Sequence, residues 1–256
     1  TGGFIEITDM HELVDIALAF RARKMPAGNR IGVITTSGGA GVLLADRGTQ
    51  LGLELPAPHA QTGLELRKLT PTFAALENPL DLSAALAQNP DSFNAATSIV
   101  VSDPNFDMTI VRSFPGADAE GWARGLVRLT DATDKPVLVS ISGLLDRSAN
   151  AIKILDENCI PYFPTPGRTA TAAAALNAFA AKLRRHREPA AGRMMGLRPL
   201  VLPAGVGTLS EREAKRCLDE YGVPTVKELA VAVSQIESLS ALPFNFPVVV
   251  KIDSRD

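Results

Sequence analysis

The sequence predicts an α/β fold built on a doubly wound parallel sheet, and three features carry the prediction. Short apolar runs recur between residues 31 and 163, and each is followed by a stretch with helical spacing. The apolar load is aliphatic: hydrophobic residues make up 46 % of the 256 and aromatic residues only 5 %, which suits helices laid on a sheet covered on both faces. The first run ends in a glycine cluster that leads into the next helical stretch, the punctuation of a strand–helix unit.

Taken in order, residues 4–7 are a short apolar stretch. Asp9 and Glu12, three apart, read as a capping box opening a helix whose Leu13, Ile16, Ala17 and Phe20 share one face. Pro26 and Gly28 place a loop over 24–29. A strand is expected over 31–35, a helix over 42–50, a second strand over 51–55 and a third strand region closing at 78–81. A helix over 92–101, a strand over 107–111 and a helix over 119–130, which holds Trp122, come next. Residues 137–141 carry no charge, as a strand buried on both faces should. A helix over 147–158, a strand over 160–163 and an alanine-rich helix over 169–185 complete the alternation. Parallel strands with right-handed crossovers are its natural architecture.

Residues 187–207 have no period and read as a linker. A second capped helix is expected to start at 208–211 and end at Tyr221 and Gly222, with short strands near 223–226 and 248–252 around a further helical stretch. The divisions expected are therefore 1–27 as a segment linking to a preceding domain, 28–186 as the main domain, 187–207 as linker and 208–256 as the start of another domain. With no initiator methionine and a sheet begun near the last residue, the chain is expected to be an internal piece of a longer protein.

A net charge of −2 gives no electrostatic reason to expect a nucleic acid or an anionic membrane as partner. The two cysteines, Cys159 and Cys217, stand in unlike contexts and read as reduced thiols, with no metal site expected. No apolar run approaches the roughly 18 residues of a membrane span. His11, His59 and His186 read as surface or packing residues.

The strongest local signal is Thr35-Thr36-Ser37-Gly38-Gly39-Ala40-Gly41. Where a strand runs through glycines into a helix, the curled backbone and the first helical turn aim unpaired N–H groups at one spot, with the positive end of the dipole behind them. A phosphate or phosphorylated side chain suits that geometry, with Ser37 and Thr36 adding hydroxyls. A tight turn in which glycine only permits close packing explains the same residues. A dinucleotide fingerprint is the other alternative: Gly39 and Gly41 would be its first two glycines, but Leu44 stands at the third, and Glu54 would be the ribose acid. Asn78 and Asp81 are candidates for an active edge, although a hydrogen-bonded turn accounts for them too. Lys251, on an apolar run, suggests an anionic partner.

Residues 28–42, from Gly28-Asn29-Arg30 through Thr36-Ser37-Gly38-Gly39-Ala40-Gly41-Val42, resemble the segment that opens the third domain of fused NDP-forming acyl-CoA synthetases, relatives of succinyl-CoA synthetase and ADP-forming acetyl-CoA synthetase. Asn78-Pro79-Leu80-Asp81-Leu82 is similar to a further motif of that family, and 135–138 and 160–166 to its later strands. Residues 209–224 resemble the start of its ATP-grasp domain, and 246–251 the strand of that domain that contacts nucleotide. The resemblance implies a flavodoxin-like main domain followed by an incomplete ATP-grasp lobe. It implies a part in joining a carboxylic acid to CoA while ATP becomes ADP and phosphate, through an acyl phosphate and a phosphohistidine. On that reading residues Ser37 to Gly41 hold the phosphoryl group and Lys251 contacts ATP phosphates.

The family's Ser-His-Thr-Gly motif, which carries the phosphorylated histidine, does not occur in the chain, so no catalytic residue is assigned and the chain by itself is expected to be inactive. The resemblance implies ATP or ADP, Mg2+ and CoA for the complete protein, with none bound to this piece alone. It also implies the remaining domains or a partner subunit as partners, leaves room for a homodimer, and points to the cytoplasm. Two other functions fit the same modules. One is a non-catalytic regulatory arm of a protein acetyltransferase; the other is the dinucleotide-binding domain of an oxidoreductase.

Overall fold

The computed structural model describes residues 4–113, 118–141, 149–187, 207–238 and 241–254. The chain divides into two compact units, 1–190 and 191–256.

The first unit is a parallel sheet of five strands between two layers of helices. The strands are β1 (Ile31–Thr35), β2 (Leu80–Asp81), β3 (Met108–Ser113), β4 (Val137–Ile141) and β5 (Tyr162–Phe163). Their order is β2-β1-β3-β4-β5, with every neighbouring pair parallel. The longer strands are buried at every position, which is why they read as apolar runs rather than as alternations.

Each face of the sheet has its own core. Ile31, Val33, Met108, Ile110, Leu138 and Phe163 point to one side. They meet α1 (Met10–Ala19), α2 (Gly38–Gln50) and α8 (Pro166–Arg187), whose Ala19, Leu44 and Leu176 join the same cluster. Ile34, Val111, Val137, Val139 and Ile141 point to the other side. Covering them are α3 (Ala60–Leu69), α5 (Pro90–Val101), α6 (Ala119–Asp131) and α7 (Ala149–Glu157). A single turn, α4 (Ala84–Ala87), precedes α5. The doubly wound sheet expected from the sequence is present.

Several local expectations need correcting. In α1 the side chain of Asp9 accepts from the Glu12 amide, but Glu12 returns its carboxylate to Thr8 rather than to Asp9. The buried stripe is Asp15, Ile16 and Ala19, with Leu13 and Ala17 turned outward. Asp15 sets that rotation: its carboxylate takes the Arg168 guanidinium of α8 through Nε at 2.7 Å and Nη2 at 2.6 Å. Residues 51–55 do not form a strand. A single bridge, Arg30 to Glu54, is all the pairing they make, because the chain leaves the sheet edge directly afterwards. α3 and α4 were not expected; α3 carries Gly63 and mixes polar with apolar residues.

In the second unit the capped helix is present as α9 (Glu211–Asp219), while the strands expected near 223–226 and 248–252 are not formed. Val226, Val249, Val250 and Ile252 are exposed, and a β-prone run without a paired neighbour has no ladder to join. The linker expected over 187–207 falls almost wholly outside the described residues.

Candidate functional site

The strand order reverses between β1 and β3. The chain leaves β1 toward α2 on one face and leaves β3 toward α6 on the other. In open α/β sheets this reversal opens a crevice at the carboxyl ends of the two strands, and ligands occupy it.

The glycine cluster lies at that point. Thr35, the last residue of β1, takes hold of the turn: its hydroxyl accepts from the Ser37 amide and donates to the Ser37 carbonyl, both at 2.9 Å. α2 then begins at Gly38, four residues earlier than the sequence suggested, so the glycines form its first turn rather than a loop ahead of it. Ser37 is the N-cap residue, yet its side chain caps nothing. The first amide of this turn to find an acceptor is that of Gly41, on the Ser37 carbonyl at 3.0 Å. Those of Gly38, Gly39 and Ala40 have none among the described residues, and the first turn contains no acidic residue. The dipole end is uncompensated within its own helix.

Each glycine has a separate reason to be there. A Cβ at Gly39 would meet nothing within 4 Å, so this position is open. At Gly41 a Cβ would come to 3.1 Å from Thr35 Cγ2 and 3.2 Å from Pro79 Cβ, so here the tight-packing reading holds. At Gly38 the nearest atom would be Asp81 Oδ2, at 3.2 Å. Asp81 therefore stands beside the helix start, with its other oxygen accepting from the Ser83 amide. Thr36, Phe73, Asp81 and Ser83 line an open pocket of about 250 Å³ at this edge.

Asn78 plays a different part. Its Oδ1 accepts from the Val33 amide at 3.0 Å, and its Nδ2 donates to the carbonyls of Ile31 at 2.7 Å and Pro56 at 3.0 Å. All its polar atoms are engaged by β1 and the neighbouring loop, so its side chain builds the edge. Lys251 belongs to the second unit, exposed, with Nζ 2.9 Å from Glu211 Oε2. It is not the buried ammonium that its apolar surroundings suggested. Lys215 and Lys251 together hold the Glu211 carboxyl down at about 2.

Sequence reasoning passed over Arg112. The expected strand was ended at Val111, whereas β3 continues through Arg112 and Ser113. A charge inside an otherwise apolar run was the available signal. Arg112 pairs in register with Thr35 on one side and Ser140 on the other.

Two further placements bear on the dinucleotide alternative. Glu54 bridges Arg30, ahead of β1, and so lies at the amino end of the sheet, opposite the glycine turn. Leu44 is a fully buried core residue. The strand order, 2-1-3-4-5, is also not the 3-2-1-4-5-6 of dinucleotide folds. His59 caps α3, its Nδ1 accepting from the Gln61 amide at 3.3 Å. Among the described residues no three His, Cys, Asp or Glu side chains are placed to hold a metal, and none of them is assigned to Mg2+. No helix there is long and apolar enough to cross a membrane.

Comparison with known proteins gives a consistent family. A family model described as Ligase-CoA domain matches residues 31–190. The alpha subunit of ADP-forming acetate–CoA ligase II from Pyrococcus furiosus is 34 % identical over 181 residues, 68 % of this chain and 38 % of the relative. The ADP-forming 4-hydroxybutyrate–CoA ligase of Nitrosopumilus maritimus is 22 % identical across 98 % of this chain and 37 % of its own length. Among solved structures, acetyl-coenzyme A synthetase 1 of Ca. Korarchaeum cryptofilum, in complex with phosphate and ADP, superposes with a TM-score of 0.64 at 28 % identity, over 72 % of this chain and 40 % of that one. The chain thus spans about two fifths of the length of these relatives.

Proposed function

The chain belongs to the Ligase-CoA domain family, and on that premise we propose that it is the phosphoryl-holding part of an NDP-forming acid–CoA ligase. The reaction proposed for the complete protein joins a carboxylic acid to CoA as ATP becomes ADP and phosphate, through an acyl phosphate and a phosphohistidine carried outside this sequence. One observation supports this reading above the others: three first-turn amides of α2 have no acceptor among the described residues, at the reversal of strand order.

The chemistry follows from that arrangement. A phosphoryl group changing hands needs its charge stabilised more than it needs covalent help. Backbone amides fixed by a helix do so without reorganising, because their orientation is established by folding. Thr36 and Asp81 frame the adjacent pocket.

Val42 and Leu43, directly behind the free amides on α2, are 58 % and 60 % exposed. They suit a junction with the rest of the protein or with a partner subunit that brings the histidine; a second copy of the chain is the other arrangement open to it. Residues 208–256 would open an ATP-grasp lobe in which Lys251 exchanges Glu211 for nucleotide phosphates. ATP, CoA and Mg2+ belong to the complete enzyme, and a cytoplasmic location follows from the use of ATP and CoA.

The test is phosphorylation of the full-length protein with labelled ATP, with and without acid, CoA and phosphate. Acid-labile label on a histidine upstream of this segment, discharged by ADP, is the expected result. An intact, folded protein that takes up no label would overturn the ligase reading and favour the regulatory arm of an acetyltransferase.

A further inference from the structure

At the carboxyl end of the sheet, on the face shared with α2 and α8, Thr35, Arg112 and Ser140 lie side by side on β1, β3 and β4. Adjacent strands are ~4.8 Å apart, so the row places Arg112 one strand from the residue that turns the chain into the free amides of α2. Arg112 is only 9 % exposed, and among the described residues it has no hydrogen-bond or ion-pair partner. Its Nε is sealed from solvent without a partner, and the neighbouring Ser140 hydroxyl is in the same condition. Burial pulls the guanidinium below its ordinary range, and no carboxylate opposes that pull.

This is a costly arrangement. A guanidinium stays charged at any pH the protein meets, and a buried charge without a counter-ion is strongly unfavourable. The other arginines of this unit with part-buried contacts have acceptors within the chain: the carboxylates of Asp107 for Arg30, Asp156 for Arg21 and Asp15 for Arg168, and the carbonyls of Ala74 for Arg67 and Pro26 for Arg184. The acceptor missing at Arg112 is one that enters from outside.

We propose that Arg112, with the Ser140 hydroxyl, is a binding subsite for a tetrahedral oxyanion at the β1–β3 reversal. The guanidinium fork offers two parallel donors to two oxygens of one group, and its terminal nitrogens, unlike Nε, are not sealed. The choice of a phosphoryl oxyanion over a carboxylate rests on the ligase reading given above. The existence of the subsite rests on the unpartnered buried charge.

The experiment uses the full chain and inorganic phosphate, with acetate as the second arm. The Arg112 Nε–Hε resonance, assigned by its loss in Arg112→Met, is followed through both titrations, together with the thermal midpoint. Phosphate is expected to shift the resonance saturably and more strongly than acetate, and to raise the midpoint. Arg112→Met is expected to fold with an undiminished midpoint, since an apolar side chain replaces a buried unpaired charge. Its phosphate affinity should fall about 10- to 100-fold. Arg112→Lys, which keeps the charge and loses the fork, should fall between the two. A resonance indifferent to phosphate, an equal or larger response to acetate, or phosphate stabilisation unchanged in Arg112→Met would each overturn the proposal. If Arg112→Met does not fold, the wild-type resonance still decides. The titration contains no ATP, CoA or upstream histidine. A silent Arg112 in a protein that still takes label would remove the subsite and leave the ligase reading standing; a responsive Arg112 in a protein that takes none would do the reverse.

Discussion

Two of the helices that start on a serine, α9 and α2, end up in opposite electrostatic states. At α9 the Ser210 hydroxyl accepts from the Glu213 amide, and the Glu213 carboxylate accepts from the Ser210 amide, a closed reciprocal pair. At α2 the Ser37 hydroxyl caps nothing, and it is the Thr35 hydroxyl that bonds the Ser37 amide and carbonyl. The first helix supplies an acceptor to its Glu213 amide from its own cap; the second leaves the amides of Gly38, Gly39 and Ala40 without an acceptor among the described residues, at the end of the sheet where ligands bind in this architecture. A serine at an N-cap position therefore says little about function until the partners of its hydroxyl are known.

The contrast can be broken most sharply at Gly39. Gly39→Asp would supply the free amides of α2 with an internal carboxylate in a position that has room for it. Histidine phosphorylation of the complete protein should fall about 100-fold or more, while thermal stability is unchanged or rises by about 0.5–1 kcal/mol. A variant that keeps full phosphotransfer would show that the amides hold no phosphoryl group.

Gly41 tests the opposite role within the same turn. Gly41→Ala forces a Cβ against Thr35 and Pro79 and should cost about 1–3 kcal/mol in denaturant unfolding.

The two serines themselves predict a smaller difference. Ser210→Ala should cost about 1 kcal/mol, read as lost helicity and an earlier melt of its unit. Ser37→Ala, which removes no cap, should fall within about 0.5 kcal/mol of wild type.

The smallest effect is a titration. The Glu211 carboxyl at the start of α9 is lowered to about 2 from its usual 4.5, first by the hydrogen bonds from Lys215 and then by those from Lys251. A carboxyl lowered on folding adds stability that is fully present above the unfolded value and is lost as pH falls through the folded one. The window is therefore between about pH 4.5 and 2, and the side-chain carbon resonance of Glu211 should titrate near its lower end. A midpoint at the ordinary glutamate value would mean that the two lysines do not hold it.

Much of the first unit was legible because its strands are buried on both faces, and unbroken aliphatic runs such as 137–141 have few other uses. What stayed hidden depended on partners distant in sequence. Residues 51–55 have the composition of a strand but meet the sheet at one bridge. The outward turn of Leu13 follows from an ion pair between Asp15 and a residue 153 positions away. At the site, the glycines were visible from their spacing, whereas the free state of their amides depended on a Ser37 hydroxyl that caps nothing. Arg112 was missed because a buried charge looks, in sequence, like the end of a strand. In the second unit the capping box could be read locally, and the two strands could not, since pairing is not a local property.

The amide of Asn78 has a consequence for the chain in company. Beyond the two residues of β2, it occupies the Val33 donor and the Ile31 acceptor, the positions where an incoming extended segment would dock. One side chain thereby closes a stretch of β1 to strand addition, protecting the sheet from the edge-to-edge assembly that leads toward fibres.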